Sequence, residues 1–100
     1  METKKEEMTM LLRELQDLQM WLFNSLHEIS LDINFNVFEN NIAIYGHVGF
    51  FSDFSMNERV CIYSFDSYEE NRKQLNYFIE YVKKLSEYGN NKRGNGTTNA

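Results

Sequence analysis

Leu31-Asp32-Ile33-Asn34-Phe35-Asn36-Val37-Phe38-Glu39-Asn40-Asn41-Ile42-Ala43-Ile44-Tyr45-Gly46-His47-Val48-Gly49-Phe50 is the stretch on which the fold turns. Leu31, Ile33, Phe35 and Val37 alternate with Asp32, Asn34 and Asn36, and beyond Asn40-Asn41 the alternation resumes with Ile42, Ile44, Gly46 and Val48. A period of two is that of a strand with one buried face. With Asn40-Asn41 as a two-residue turn, Glu39 faces Ile42, Val37 faces Ile44, Phe35 faces Gly46, Ile33 faces Val48 and Leu31 faces Phe50. The apolar residues of both strands then share one face, and a slip of one residue would scatter them. The stretch is therefore expected to form a β-hairpin with strands Leu31 to Glu39 and Ile42 to Phe50.

Upstream, Met8, Leu11, Leu12, Leu15, Leu18, Leu22, Leu26 and Ile29 recur at spacings of three and four, which predicts a helix from about Lys5 to Ile29. Glu6 and Glu7 in its first turn suit the helix dipole. Downstream, Arg59 to Phe65 reads as a third strand, with both faces apolar, so that either Tyr63 and Phe65 or Val60 and Ile62 point outward. Ser67 followed by Glu70 is a capping box, and Leu75, Phe78, Ile79, Val82 and Leu85 form the stripe of a second helix. Gly89 is expected to close that helix, leaving residues 1–89 as one domain and 90–100 as a flexible polar tail.

Three strands cannot bury an apolar face alone, so both helices must cover it. Each tight connection reverses the chain. The expected architecture is α+β, in the order α-β-β-β-α: a three-stranded antiparallel sheet with two roughly parallel helices on one face and the other face open.

Composition bounds the function. The 100 residues are 42% hydrophobic and 15% aromatic, as in a folded domain. Cys61 is the only cysteine, which excludes an internal disulfide and suits a reducing cytosol. No signal-peptide pattern follows Met1, and no apolar run approaches the roughly 20 residues of a membrane span. A cytoplasmic protein is expected, without membrane attachment. Proline is absent, where about five would be average. Abundant Asn, Tyr, Phe, Ile and Lys with little Ala suggest an AT-rich source genome. The net charge is −5, but Asn24 to Asn71 carries −7, with Arg59 alone against eight acids. Such a body repels phosphate, so no nucleic-acid partner is expected.

Catalytic and metal chemistry find little footing. Cys61 lies within Val60-Cys61-Ile62-Tyr63 in an acidic chain, not beside a cation that would favour its thiolate. His47 falls on the outward face of the second strand, opposite Asn34 in the register above, and His27 suits a helix C-terminus. Asp53, Asp66, Glu69 and Glu70 lack metal-ligand spacing. No enzyme, no cofactor and no metal is expected.

Surface aromatics carry more. Met10, Glu14, Asp17 and Trp21 form a row roughly 120° from the core stripe of the first helix. Tyr77, Tyr81 and Tyr88 form a similar row on the second. Both rows lie on the same rotational side, so in parallel helices they cannot face each other. Leu12, Met20 and Phe23 are then expected to pack toward Phe78, Tyr81 and Leu85, leaving Met10 and Trp21 facing out. Trp beside Met, rimmed by acids, is hot-spot composition. The alternative is that Met20-Trp21-Leu22-Phe23 is a helix end buried by Phe50-Phe51-Ser52-Asp53-Phe54. The open sheet face, with Asn34, Asn36, Phe38, Tyr45 and His47, is a second candidate surface.

The element order resembles that of double-stranded RNA-binding domains. In that family a basic cluster at the start of the last helix sits on phosphates, and a longer loop with a Gly-Pro-x-His type sequence joins the first two strands. Here those positions read Tyr68-Glu69-Glu70-Asn71 and Asn40-Asn41. The topology matches and the functional residues do not, which leaves RNA binding as the lesser alternative.

Acidity, size and composition resemble those of small phage-encoded inhibitors of CRISPR nucleases and other bacterial defence systems, a likeness of class. It implies a protein-binding module, an inhibitor or adaptor docking on a basic surface of a partner. The rival expectation is a homodimeric module joined through the open sheet face or the Trp21 row.

Overall fold

The computed structural model describes residues 3–23, 29–50 and 57–98, from residue 88 on as backbone only. Its elements are α1 (Lys4–Phe23), β1 (Ile29–Phe38), β2 (Asn41–Phe50), β3 (Asn57–Tyr63) and α2 (Tyr68–Thr98). The strands form one antiparallel sheet in the order β1-β2-β3, and the fold is α+β as the sequence predicts.

Local chemistry explains the helix starts. Thr3 caps α1, its Oγ1 accepting from Glu6 N at 3.2 Å and its carbonyl from Glu7 N at 3.1 Å. Ser67 caps α2, its Oγ accepting from Glu70 N at 3.1 Å. Met8, Leu11, Leu15, Leu18 and Leu22 of α1 and Leu75, Phe78, Val82 and Leu85 of α2 are buried together with Ile29, Leu31, Ile44, Val48, Phe50, Val60 and Ile62 of the sheet.

Several element ends differ from the sequence reading; β3, for one, opens at Asn57 and not at Arg59. Ile29 does not extend α1; it opens β1, buried opposite Phe50, where its β-branched side chain suits a pleated surface. Leu26, placed on the same helical stripe, lies outside the described residues. The backbone of α2 continues through Gly89 to Thr98, passing Gly94 and Gly96 as well; each helical glycine costs about 1 kcal/mol relative to Ala and does not by itself end a helix. The third strand ends at Tyr63, where Asp66 N bonds back to Tyr63 O at 3.1 Å and turns the chain toward α2.

The hairpin register is shifted from the expected one. Ile33 pairs with Gly46, not Val48; Leu31 pairs with Val48, Phe35 with Ile44 and Val37 with Ile42. The turn is Glu39-Asn40, with φ of 45° and 66°, and it closes on Phe38 opposite Asn41. A shift of two residues preserves which side chains share a face, so alternation alone cannot separate the two registers. The decision falls to β3. Ser64 Oγ accepts from Ile42 N at 2.8 Å and donates to Asn41 Oδ1 at 3.2 Å, while Ser64 N donates to Ile42 O at 2.9 Å. Those bonds hold Asn41 in strand β2 and out of the turn.

Ile44 opposite Ile62 and Gly46 opposite Val60 put Val60 and Ile62 on the core face. Arg59, Cys61 and Tyr63 therefore join the outer face. The side of α1 nearer β1 is tied there by Gln19 Nε2 donating to Leu31 O at 2.7 Å. Its first turn reaches the far end of β3, with Lys4 Nζ donating to Asp66 O at 2.7 Å. The helix thus crosses the sheet diagonally. Phe35 and Val37, on the core face of β1 but beyond its cover, stay 49% and 68% exposed.

Candidate functional site

The row read on α1 lies along the groove between the helices. Glu14 meets Arg72 in a two-pronged pair, Nη1 to Oε1 at 2.7 Å and Nη2 to Oε2 at 2.7 Å. Arg72 Nε and Nη2 also donate to Tyr68 Oη at 3.2 and 2.7 Å. These bonds raise the guanidinium pKa, the bond to Glu14 most of all, so Arg72 keeps its charge at any working pH. Farther along, Glu14, Asp17, Leu18 and Trp21 of α1 face Ile79 and Lys83 of α2 around a groove of about 260 Å³. Residue numbers rise together on both sides, as parallel helices require.

This geometry reverses the expected flanks. Met10 and Trp21 are 41% and 44% exposed, but Trp21 lines the interhelical groove and is not turned away from α2. Met20 and Phe23, expected to pack toward Phe78, Tyr81 and Leu85, are more exposed still, at 66% and 77%. The reason is chirality. Two parallel helices on one sheet face can be laid left-to-right in either order, and stripe periodicity is the same for both. Bonding of Gln19 to β1, the edge strand opposite β3, selects the order found.

Tyr77 and Tyr81 sit on the other side of α2, over β3. Tyr77 borders a depression of about 310 Å³ with Arg59, Val60, Glu70, Lys73 and Gln74. Burial raises the Tyr81 pKa, and the charge of Glu58 adds to it. The two rows are not brought together, as expected for parallel helices. The side chain of Tyr88 lies outside the described residues.

The outer sheet face is laid out in cross-strand rows: Asp32–His47–Arg59, Asn34–Tyr45–Cys61 and Asn36–Ala43–Tyr63. His47 faces outward as expected, but its neighbour is Asp32, not Asn34, because of the register. Tyr45 and Tyr63 meet edge-to-face at 5.9 Å, and Tyr63 stacks on Phe65 at 4.8 Å with rings 15° apart. A hydrogen bond with Tyr45, then burial, pushes the Tyr63 phenol up to about 12. Phe38 and Phe65 are 40% and 61% exposed at the same end of the sheet. The face thus offers an aromatic end and a polar end, but only one Arg for a phosphate chain.

For chemistry, Cys61 is half-buried with Tyr45 as its cross-strand neighbour on β2, and no group of three His, Cys, Asp or Glu able to hold a metal occurs among the described residues. Among the described residues no helix is long and apolar enough to cross a membrane. The Glu14–Arg72–Tyr68 network escaped the sequence reading. Its only trace is an Arg four residues after a Tyr at the start of α2, which does not point to α1. No protein family model matches this chain, and the comparisons with curated proteins and with solved structures found no match.

Proposed function

We propose that this chain is a non-enzymatic protein-binding module that docks on a basic surface of a partner protein through the interhelical groove. The observation that carries the reading is the placement of Trp21, 44% exposed, in a groove lined by Asp17 on the same helix, with Glu14 held by Arg72 and Lys83 on the facing wall. An indole face beside a carboxylate suits an Arg or Lys side chain, combining a cation–π contact with an ion pair. The −7 stretch from Asn24 to Asn71 would steer such a partner during encounter. An acidic inhibitor or adaptor acting in the cytosol fits this chemistry, and the phage-type inhibitors of defence systems are the class it most resembles. No cofactor enters the reading. A self-associating module is the second reading, favoured by the exposed aromatics Phe38 and Phe65 beside the half-buried Tyr45.

Trp21 is the only tryptophan, so its fluorescence reports on the groove directly. Titration with an arginine-rich peptide should change the Trp21 emission, with an affinity that falls as salt rises, and Asp17→Lys should abolish the response. An unchanged emission, or an equal response to a glutamate-rich peptide, defeats the proposal.

A further inference from the structure

We propose that the open edge of β1 pairs with β1 of a second copy of this chain, joining two sheets into one of six strands. This rests on the backbone of the edge and is independent of the groove.

The two edges of the sheet are treated differently. On β3, Glu58 Oε1 accepts from Arg59 N at 3.0 Å, and Tyr63 O accepts from Asn71 Nδ2 at 2.9 Å and from Asp66 N at 3.1 Å. Side chains and the following turn thus occupy much of that edge. On β1 the tight turn closes on Phe38 and Asn41, so the even-numbered residues exchange their bonds with β2. The odd-numbered residues aim N–H and C=O at the open side. The bond from Gln19 Nε2 to Leu31 O confirms that phase independently. Past Leu31, the edge groups of Ile33, Phe35 and Val37 have no such cap among the described residues. The strand has no proline, no lysine and no glycine there. Long, apolar, unprotected edges of this kind pair with other strands.

The uncapped segment is complementary to itself. An antiparallel copy centred on Phe35 places Phe35 opposite Phe35 of the second copy, Ile33 opposite Val37, and Val37 opposite Ile33. Each of these is a pair whose edge groups point at each other, and each can exchange two backbone hydrogen bonds. On the outer face Asn34 meets Asn36 and Asp32 meets Phe38, so no like charges oppose each other despite the net charge of −5. Pairing stops where Leu31, already held by Gln19, would meet Glu39 of the turn. The exposed halves of Phe35 and Val37, left uncovered by the diagonal of α1, are covered in the same step.

Sedimentation velocity from micromolar to millimolar protein tests the proposal, with amide hydrogen exchange on the same samples. A monomer–dimer equilibrium is expected, with the amides of Ile33, Phe35 and Val37 protected at high concentration and exchanging freely on dilution. Phe35→Lys should give a monomer at every concentration while keeping the circular dichroism of the native chain. Phe35→Pro removes an edge N–H together with the phenyl ring, breaks no bond to β2 and should do the same. A monomer throughout overturns the proposal, as does a dimer in which those three amides exchange freely or which survives both variants. Loss of the dimer in Trp21→Ala with an intact β1 would assign it to the groove instead.

Discussion

Glu39 holds φ at 45° beside Asn40 at 66°, both in the left-handed region that a type I′ turn requires. Asn adopts that region readily; a Glu there costs about 1 kcal/mol. Glu39→Asn or Glu39→Gly should stabilise the chain by about 1 kcal/mol, seen as a higher urea midpoint with an unchanged slope. No loss of contacts opposes the gain, because Glu39 is exposed. Asn71 illustrates the opposite case. Its side chain is buried at 1% exposure and its Nδ2 caps the edge carbonyl of Tyr63. Neither role is visible in the sequence, where Asn71 is one polar residue among several at a helix start. The turn position was partly visible: two adjacent asparagines mark a turn, but the bonds of Ser64 to Asn41 and Ile42 place it one residue earlier.

Within the elements, β2 is the strand that both neighbours and the helix layer share. Gly46 lies beneath Phe78, and a Cβ there would stand 3.0 Å from Val60 Cγ1 and 3.5 Å from the Phe78 ring. Phe78 is fully buried and has no room to retreat. Gly46→Val should therefore cost about 1–3 kcal/mol in chemical denaturation, the range of overpacked cores. On the outer face the tyrosines set an alkaline limit. Tyr63 ionises at about 12 in the fold against 10.0 for the free group, so the folded state holds its proton longer. That contribution to stability is complete below pH 10 and is lost as pH rises from 10 to about 12. Tyr81, raised by burial, acts in the same direction. A tyrosinate absorbance titration should show a late-ionising phenol, and Tyr45→Phe should bring it back toward the free value, since the bond to Tyr45 is the largest cause.

Across the whole molecule, the crossing angle of α1 decides which apolar side chains stay at the surface. Trp21 is neither fully buried nor a bare surface group. Trp21→Ala should cost about 1–2 kcal/mol of folding stability, less than the roughly 3–5 kcal/mol of a core tryptophan. The emission of the native chain should lie between those of a buried and a solvated indole. A cost near zero or near the core value would show that the groove is not formed as described. The Glu14–Arg72 clamp sits across the same groove, and its side chains remain partly exposed, so its weight lies in fixing the helix pair more than in stability.

Periodicity determined the elements and their faces. The stripes of α1 and α2, the capping by Ser67 and the shared face of β1 and β2 are local or parity properties, and a chain segment carries them without its neighbours. Element order then left few topologies, because short connections reverse direction. Three features needed the tertiary structure. The register depends on Ser64, far from the hairpin in sequence. The inward face of β3 depends on what covers it, since Val60 and Ile62 compete with Cys61 and Tyr63 on apolarity alone. The side on which α1 lies against α2 is a matter of handedness, to which an apolar stripe is blind, and it turned the Trp21 row from an outer flank into the wall of a groove.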